Sequence, residues 1–345
     1  MDALSLVELE IAARHRMDPV LYDYFAGGAD DELTARANET VLVGLRLLPR
    51  VLRAGGAPRL DLTLLGTPAS LPVLLAPTAF HRLVHRDGEA ATARAAAAAG
   101  AIMIVSMAST VAIEDVAAAG GALWFQLYVQ SDRGFTESIV RRAEAAGCRA
   151  LVVTVDSPVF GRHIRDLRND FTDLPPGMRC ENLRDDEGRV RDIEFAAGLG
   201  WPDVEWLRSV TTLPVVLKGV LHPADARLAV EHGAAAVMVS NHGGRQLDTA
   251  ATTIDALPAV ADAVAGRVPV LLDGGVRRGT DVVKACALGA AAVAVGRPVV
   301  WGLAVDGEAG VGWVLATLRA ELSRALALCG ADTVADLTPD LVVTR

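Results

Sequence analysis

The stretch A-V-M-V-S-N-H-G-G-R-Q-L-D, residues 236–248, joins an apolar run to a polar loop that contains two adjacent glycines. An uninterrupted apolar run such as 236–239 is typical of a strand buried on both faces of a parallel sheet. His242 and Arg245 then follow the carboxyl end of that strand. The glycine pair between them allows a sharp turn that brings both side chains to one side. By itself the stretch fits either a reactive site or an ordinary polar turn.

Apolar runs of this kind recur eight times along the chain, and helical patterns that often end at glycine separate most of them. This alternation predicts an α/β fold with a parallel sheet covered by helices. Eight units predict a closed (β/α)8 barrel, the TIM barrel. An open doubly wound sheet is the alternative, but no G-x-G-x-x-G turn follows the first run. The predicted strands are 73–76, 102–105, 123–127, 151–155, 215–217, 236–239, 270–272 and 292–295, and the clearest helices are 89–99, 137–146, 224–232 and 280–288.

The chain is interpreted as one domain, residues 1–345, in which residues 71–330 form the barrel and residues 1–70 form an N-terminal helical extension. Between residues 45 and 65 the pattern is irregular, which predicts short strands or a connecting segment under the barrel. Residues 171–200, between the fourth and fifth strands, contain a Pro-Pro pair and a run of charged side chains. That length and composition predict a polar, mobile lid loop.

The extension contains three indicated helix starts. Ser5 can cap the first helix, and Asp18, which precedes a proline, can begin the second, which carries Tyr24. Asp30 and Asp31 favour the start of a third helix, because acidic groups stabilise the positive end of the helix dipole.

Composition excludes several classes of function. A formal net charge of −9 argues against a nucleic-acid-binding surface, which needs concentrated positive charge. No apolar run reaches the roughly 18 residues of a membrane-spanning helix, and no basic flank precedes an apolar block at the N-terminus. The cysteines are widely spaced without a Cys-x-x-Cys pair, which fits reduced thiols better than a zinc site or a disulfide framework. We therefore expect a cytoplasmic protein that acts on a small molecule and binds no metal, nucleic acid or membrane.

In a barrel of this type, the residues that follow the strands share one rim, where barrel enzymes keep their active sites. Each polar residue at a strand end could cap its own strand. Nearly every strand end carries one, however, and this joint placement favours a shared site. The rim residues are Pro77, Thr78, Ala79, Ser106, Gln126, Tyr128, Thr154, Asp156, Lys218, Ser240, His242, Arg245, Asp273, Gly274, Gly275, Arg277, Gly296 and Arg297.

The last two rim segments, D-G-G-V-R-R-G and G-R-P, each lead into a helix and predict a phosphate site. Glycines expose backbone N–H groups, a helix N-terminus adds positive potential, and Arg277 or Arg297 can pair with the phosphate. The loops after strands seven and eight are the usual phosphate position in this barrel. Lys218, one of only two lysines, can stabilise negative charge on a ring system, so the pattern fits FMN, although a rim salt bridge is its alternative role. The other expected ring partners are Gln126, Thr154 and Ser240.

Eight motifs follow one another from the second helix to the last strand. They are Y-D-Y-F-A-G-G-A-D-D-E from Tyr22, A-P-T-A from Ala76, Q-L-Y from Gln126, T-V-D-S-P from Thr154, L-K-G from Leu217, S-N-H-G-G-R-Q-L-D from Ser240, D-G-G-V-R-R-G-T-D-V from Asp273 and G-R-P from Gly296. In this order, over essentially the whole chain, they resemble the FMN-dependent 2-hydroxy acid oxidase/dehydrogenase family. That family includes glycolate oxidase, lactate oxidase, mandelate dehydrogenase and the hydroxymandelate oxidases. The H-G-G-R-Q-L-D block is its most specific motif.

The resemblance implies a role for each of four rim residues and for Tyr24 of the extension. His242 would be the active-site base, with Asp156 orienting it and stabilising its protonated form. Arg245 and Tyr24 would hold the substrate carboxylate, and Tyr128 would hydrogen-bond near the substrate hydroxyl. The implied activity is oxidation of an (S)-2-hydroxy acid to the 2-oxo acid, with FMN as cofactor and O2 reduced to H2O2. A homotetramer is implied in the same way.

Three positions depart from the family pattern. Members similar to glycolate oxidase have arginine where this chain has His163, a second cationic substrate contact that histidine would supply only in part. They have tryptophan at Ala108, and Phe80 replaces a common methionine. The small side chain at Ala108 enlarges the pocket, so we expect a substrate larger than glycolate, similar to mandelate or lactate.

Other functions remain open from the sequence. The same rim would serve a dehydrogenase that passes electrons to a quinone or a protein, or an oxidative decarboxylase similar to lactate monooxygenase. A silent flavin-binding barrel would not need a base such as His242. A sugar-phosphate isomerase would be colourless when purified.

Overall fold

The computed structural model describes residues 2–53 and 56–343. Eight parallel strands form a closed barrel in the order β4 to β11, with β11 returning to pair with β4. The predicted (β/α)8 barrel is confirmed. The strands are β1 Arg46–Leu47, β2 Leu62–Leu64, β3 Thr67–Ala69, β4 Val73–Leu75, β5 Ile102–Ser106, β6 Ala122–Leu127, β7 Leu151–Thr154, β8 Val215–Val220, β9 Ala236–Val239, β10 Val270–Asp273, β11 Ala292–Val295 and β12 Val342–Val343.

Helices cover the outside of the barrel and form the N-terminal extension. They are α1 Leu6–Arg16, α2 Pro19–Ala26, α3 Leu33–Gly44, α4 Gly88–Ala99, α5 Ile113–Ala118, α6 Arg133–Ala145, α7 Ile164–Arg168, α8 Trp201–Val210, α9 Pro223–Glu231, α10 Thr253–Val264, α11 Gly279–Ala287 and α12 Arg297–Cys329. The four clearest predicted helices are therefore confirmed as α4, α6, α9 and α11.

Each predicted strand coincides with one of β4 to β11. The C-terminal end of β8 departs most from its predicted position. The prediction ended it at Leu217, whereas pairing continues to Val220 past an irregularity between Lys218 and Val220. Gly219 adopts a φ of 111° there, and a Cβ at this position would lie 2.6 Å from the Cβ of Asp156. Glycine thus lets the end of β8 approach the residue that follows β7.

Side chains that point into the barrel form one dry cluster, which includes Leu74, Ile104, Trp124 and Met238, all at most 1% exposed. The antiparallel hairpin β2–β3 packs on this cluster from the amino-terminal end of the barrel. The indole Nε1 of Trp124 donates to Oγ1 of Thr67 at 3.2 Å. The irregular segment thus supplies the expected short strands. Because they close the amino-terminal end of the barrel, a cavity can open only at the carboxyl-terminal end.

The helix starts predicted in the extension are observed. Ser5 Oγ accepts from the N–H of Glu8, and Asp18 Oδ1 accepts from that of Val20. The third helix begins at Leu33, but neither Asp30 nor Asp31 caps it. Its first N–H groups donate instead to a carboxylate contributed by the loop after β9, described below.

Helix α12 is long and apolar enough, by length and composition, to cross a membrane. Most of its apolar stretch is buried inside the fold, as in the core helix of a globular domain. It bends at Asp306 and Gly307, where the backbone leaves helical angles.

The predicted lid segment 171–200 holds a single short 3-10 turn, Glu181–Leu183, within residues that the structure describes. Asn182 is 1% exposed, accepts from the N–H of Ile113 at 2.7 Å and donates to the carbonyl of Ser106 at 3.1 Å. The middle of the segment is therefore fastened to the barrel. Its mobility stays a prediction.

Candidate active site

A cavity of about 390 Å³ opens at the carboxyl ends of the barrel strands. This volume is within the range of small-molecule sites. Most of the predicted site residues line it: Pro77, Thr78, Ala79, Ser106, Ala108, Tyr128, His163, Lys218, His242, Arg245, Asp273, Gly274, Gly275, Arg277, Gly296 and Arg297, together with Tyr24 from α2. Four predicted residues lie behind the wall instead: Gln126, Thr154, Asp156 and Ser240.

His242 and Asp156 form a hydrogen-bonded pair at the centre of the site. Nδ1 of His242 is 3.0 Å from Oδ1 of Asp156, which also accepts from Ser157 Oγ at 3.0 Å. A carboxylate only accepts, so Nδ1 carries the proton and Nε2 keeps a lone pair. Nε2 lies 3.4 Å from the hydroxyl of Tyr128, at the cavity wall. This is the geometry of a base oriented by a carboxylate.

The charges around this pair favour a neutral base and an ionised partner. Burial lowers the pKa of His242, the charge of Lys218 lowers it further, and Asp156 opposes both effects. Burial opposes ionisation of Asp156, but Lys218 and His242 outweigh it and lower the pKa of Asp156 to about 2. Near neutral pH, therefore, His242 is ready to accept a proton and Asp156 is ready to stabilise the charge that results.

The loop after β9 holds His242 in a strained backbone conformation. Its φ is 58°, in the left-handed region that non-glycine residues seldom adopt. The N–H of His242 donates to Ser240 Oγ at 3.1 Å, which explains why Ser240, fully buried, lies behind the wall. The strain is typical of functional sites.

Arg245 turns its guanidinium toward the C-terminal end of α2. Nη1 donates to the carbonyls of Tyr24 and Gly27 at 2.7 and 2.9 Å, and the guanidinium carbon lies 5.1 Å from the centre of the Tyr24 ring. Within residues 2–53 and 56–343, Nε and Nη2 have no hydrogen-bond acceptor. Burial raises the pKa of Tyr24 to about 12, although Arg245 opposes it, so the phenol stays a donor. The pair offers several N–H groups and one O–H to an anion.

An aromatic and aliphatic wall faces these polar groups. The Tyr24 ring stacks on Phe80 at 5.7 Å and packs against Phe171 at 5.0 Å. Leu174 and Ile193, from the predicted lid segment, also line the cavity, as does the small side chain of Ala108. One half of the cavity therefore suits an apolar group. The three departures noted in the sequence, Phe80, Ala108 and His163, all lie in the wall.

Lys218 and Asp273 form the opposite side. Lys218 is 3% exposed and its ammonium lies 3.8 Å from Oδ2 of Asp273, too far for a hydrogen bond. No other side chain in the described part of the chain gives Lys218 a hydrogen bond, and Oδ1 of Asp273 is buried without a partner. Buried polar groups in native proteins are normally satisfied, so the Lys218 ammonium and Oδ1 of Asp273 fit a polar ligand in the cavity.

Arg277 and Arg297 differ in their surroundings. Nη2 of Arg277 donates to Glu39 at 2.6 Å, while its Nε is buried without a partner among residues 2–53 and 56–343. The guanidinium of Arg297 donates to three backbone carbonyls, those of Phe25, Gly27 and Gly243. Burial and the neighbouring arginines lower the pKa of Arg297 to about 9. Arg297 could contact a phosphate only by giving up some of those bonds, whereas Nε of Arg277 is available among the described residues. The phosphate role of each arginine stays a prediction.

The helix N-terminus expected to attract the phosphate is occupied by protein groups. The N–H groups of Arg277 and Arg278 donate to Asp281, and that of Gly279 donates to Glu321. In the described residues, no acceptor is assigned to the N–H of Gly275 or Gly296, both in the cavity wall. Glycine loops, rather than the start of α11, therefore present the available backbone donors.

Gln126 and Thr154 support the wall from behind. Oε1 of Gln126 accepts from Ser106 Oγ and from the N–H of Met107, both at 3.2 Å, and its Nε2 donates to Thr154 Oγ1 at 3.0 Å. The chain Thr154, Gln126, Ser106 thus crosses three neighbouring strand ends. A buried network of this kind is rigid. Together with Lys218, Asp273 and Arg277, it fits the ring and phosphate of FMN.

Sequence reasoning missed two contacts that hold the site to the extension. Asp248 accepts from the N–H groups of Leu33 and Thr34 at 3.2 and 2.8 Å and so caps α3. Asn38 and Asn241 exchange two amide hydrogen bonds at 2.9 and 2.8 Å. The partners are more than 200 positions apart. Asp248 was visible as the last residue of the opening motif, but nothing in the sequence named its partner.

A family model described as FMN-dependent dehydrogenase matches residues 13–344. An L-lactate oxidase from Nostoc sp. is 47% identical over 97% of this chain and 96% of that protein. A glycolate oxidase from Spinacia oleracea is 45% identical over 98% of this chain and 95% of that protein. A structure of mandelate oxidase with benzoyl-formic acid superimposes with a TM-score of 0.93 at 44% identity, covering 99% of this chain and 98% of the other.

Proposed function

This chain belongs to the FMN-dependent dehydrogenase family, as its motifs predicted, and we propose that it oxidises an (S)-2-hydroxy acid to the 2-oxo acid with O2 as the electron acceptor. The observation that carries the proposal is the joint geometry of His242 and Arg245. The loop after β9 places His242 and Arg245 in the wall of one cavity. His242 has an unprotonated Nε2, because its Nδ1 donates to Asp156. In the described part of the chain, Nε and Nη2 of Arg245 have no acceptor and can bind an anion.

The cofactor of this family is FMN, and the cavity wall fits it. Bound FMN would accept the two electrons that the substrate loses and pass them on. Lys218 would meet the ring where negative charge develops, and Arg277 would meet the phosphate. The network of Gln126 and Thr154 would hold the wall in place behind the ring.

The substrate would be fixed by its carboxylate. Arg245 would bind it through Nε and Nη2, and the Tyr24 hydroxyl would donate to it. Nε2 of His242 would take a proton from the substrate, and Tyr128, whose pKa burial raises well above its usual range, would remain a donor beside the substrate oxygen. The balanced reaction is R–CH(OH)–COO⁻ + O2 → R–CO–COO⁻ + H2O2.

We further propose that the substrate is larger than glycolate and similar to mandelate or lactate. Support comes from Ala108 and from the apolar wall of Phe80, Phe171 and Ile193. A panel from glycolate through lactate to mandelate and 4-hydroxymandelate should give its highest kcat/KM with one of the larger acids. Fastest turnover of glycolate would contradict the size argument.

The acceptor is tested by product analysis under air. An oxidase yields equal amounts of 2-oxo acid and H2O2. A dehydrogenase yields product only when a quinone or another acceptor is added. A decarboxylating monooxygenase yields CO2 and the shortened acid, with no H2O2. Equal yields of oxo acid and H2O2 in the absence of other acceptors are the result we expect.

Assembly and location are proposals that rest on the family resemblance and on composition. We propose a cytoplasmic homotetramer that binds neither nucleic acid nor membranes. The four cysteines are all unpaired, which suits a reducing compartment. Light scattering on the purified protein should give four times the chain mass, and a monomer mass would contradict it.

A further inference from the structure

His163 lies in the cavity wall, where it immediately precedes α7, yet its ring is occupied by protein atoms. Nε2 is 2.8 Å from the backbone carbonyl oxygen of Arg245, and Nδ1 is 3.1 Å from Oδ2 of Asp166. A carbonyl and a carboxylate only accept hydrogen bonds, so the ring N–H that faces the carbonyl of Arg245 donates to it. Both ring nitrogens face acceptors of the protein, and neither is directed at a substrate carboxylate.

The contact between His163 and Arg245 is part of a close approach between residues 161–163 and residues 245–246, called the seam below. Gly161 donates its N–H to Oε1 of Gln246 at 2.6 Å. A Cβ at Gly161 would lie 2.1 Å from the carbonyl oxygen of Arg245, so only glycine permits this approach. The seam therefore fixes the backbone of Arg245, while Tyr24 holds its guanidinium through a carbonyl.

The other side of the seam is anchored in turn. Arg165, in α7, donates to Asp23 at 3.0 Å and to Glu32 at 2.6 Å. Its charge and hydrogen bond outweigh the effect of burial and keep the pKa of Glu32 below its usual range. Helix α7, which His163 precedes, is therefore held against the N-terminal extension. Through its hydrogen bond to the Arg245 carbonyl, His163 then holds the Arg245 backbone in a fixed place relative to that extension.

We propose that His163 is a positioning residue for substrate recognition: it fixes the Arg245 segment through the Arg245 carbonyl, and Arg245 alone supplies the cation for the substrate carboxylate. The proposal rests on the function proposed above. It differs from the sequence expectation that His163 touches the substrate. It also means that the N–H that His163 donates matters more than its charge.

Two substitutions separate positioning from direct contact. His163→Ala removes the donor, so KM should rise about tenfold with kcat within about twofold, since the loss of one hydrogen bond is worth roughly that factor. His163→Gln keeps an N–H within reach of the same carbonyl but carries no charge. It should keep KM within about threefold of the parent value. A direct cationic contact predicts instead that Gln is as damaging as Ala.

A second readout does not depend on turnover. The Kd of the 2-oxo acid product, measured by its effect on the visible spectrum of the FMN-loaded protein, should follow KM across the series. His163→Leu fills the ring volume without a donor and replaces the alanine variant if that variant does not unfold cooperatively. The matched control is His232→Gln, because His232 forms a similar pair with Glu205 at 2.8 Å outside the cavity. It should leave KM unchanged.

Two outcomes overturn the proposal: an unchanged KM and Kd in His163→Ala and His163→Leu, or equal losses in His163→Gln and His163→Ala. A parent protein that binds FMN but turns over no 2-hydroxy acid contradicts the proposed function instead. In that case the Kd of the 2-oxo acid, compared between the parent and the His163 variants, still tests whether His163 positions Arg245.

Discussion

The two sides of the cavity differ in how the chain holds their functional side chains. On the side of the loop after β9, Nδ1 of His242 bonds to Asp156 and Nη1 of Arg245 bonds to two carbonyls, which orients both side chains. Within the described residues, Oδ2 of Asp156 is buried without a partner, and Nε and Nη2 of Arg245 have no acceptor. On the side of β8 and β10, the ammonium of Lys218 makes no hydrogen bond within the part of the chain that the structure describes, and Oδ1 of Asp273 and Nε of Arg277 are buried there without partners.

This difference distinguishes preorganisation from ligand binding. Folding alone orients the proposed base and the carboxylate-binding arginine, which is how a catalytic group avoids reorganisation during reaction. Unsatisfied buried groups cost free energy until a partner arrives. We therefore propose that FMN stabilises the side around Lys218 when it binds, whereas contacts within the chain stabilise the side around His242. Substitutions on the two sides should affect different measurements.

The largest expected effect is the loss of turnover in His242→Gln. Removal of a positioned base typically costs a factor of about 10² to 10⁴ in rate. FMN content, read from the visible absorption of the purified variant, should equal that of the parent, because His242 is on the preorganised side. Loss of FMN together with activity would show that the two sides are not separate.

Lys218→Met should give the opposite pattern, with the main loss in cofactor affinity. Hydrogen bonds to charged groups contribute about 1.5 to 3 kcal/mol, so the Kd of FMN should rise roughly 10- to 100-fold. Fluorescence titration of the apoprotein with FMN measures it. An unchanged Kd would contradict a contact between Lys218 and FMN and would support the alternative role, a rim salt bridge with Asp273.

The pH dependence of kcat/KM should sharpen the comparison, because Lys218 acts on both sides. Burial and Lys218 lower the pKa of His242, so the neutral base persists below its ordinary pKa of about 6.5. Activity should therefore be retained below that pH and fall as His242 gains a proton. In Lys218→Met at saturating FMN, the acid limb should move to higher pH. A limb that does not move would exclude an electrostatic effect of Lys218 on the base.

The smallest expected effect concerns the contact between the site and the extension. Asp248→Ala removes the cap of α3 and should lower the free energy of unfolding by about 1 kcal/mol, and at most about 2. Urea denaturation of the apoprotein measures it. The matched control is Asp31→Ala, which removes an exposed carboxylate that caps nothing and should change stability by less than about 0.5 kcal/mol. Equal effects would contradict the capping role of Asp248.

The barrel and the membership of its rim followed from the sequence for a topological reason. In a closed parallel barrel every strand ends on one face, so sequence order alone places His242, Lys218 and Asp273 together. The phosphate site stays a prediction from the two glycine motifs, and the N–H groups at the start of α11, which were expected to contribute to it, donate to Asp281 and Glu321 instead.

The partners of individual side chains could not be read in the same way. Asp248 caps a helix 214 positions earlier, Arg297 bonds to carbonyls of the extension, and His163 meets the carbonyl of Arg245. Such contacts depend on how the extension packs on the barrel and on rotamers that packing selects. Residue type and spacing do not encode either one.

The most direct test of the account is the visible spectrum of the FMN-loaded protein under anaerobic conditions, before and after one (S)-2-hydroxy acid is added from the panel. We expect a larger acid, such as (S)-mandelate, to bleach the flavin absorption of the parent protein. Bleaching should be at least 100-fold slower in His242→Gln at equal FMN content. Bleaching at the same rate in both proteins, or no bleaching by any acid of the panel, would contradict it.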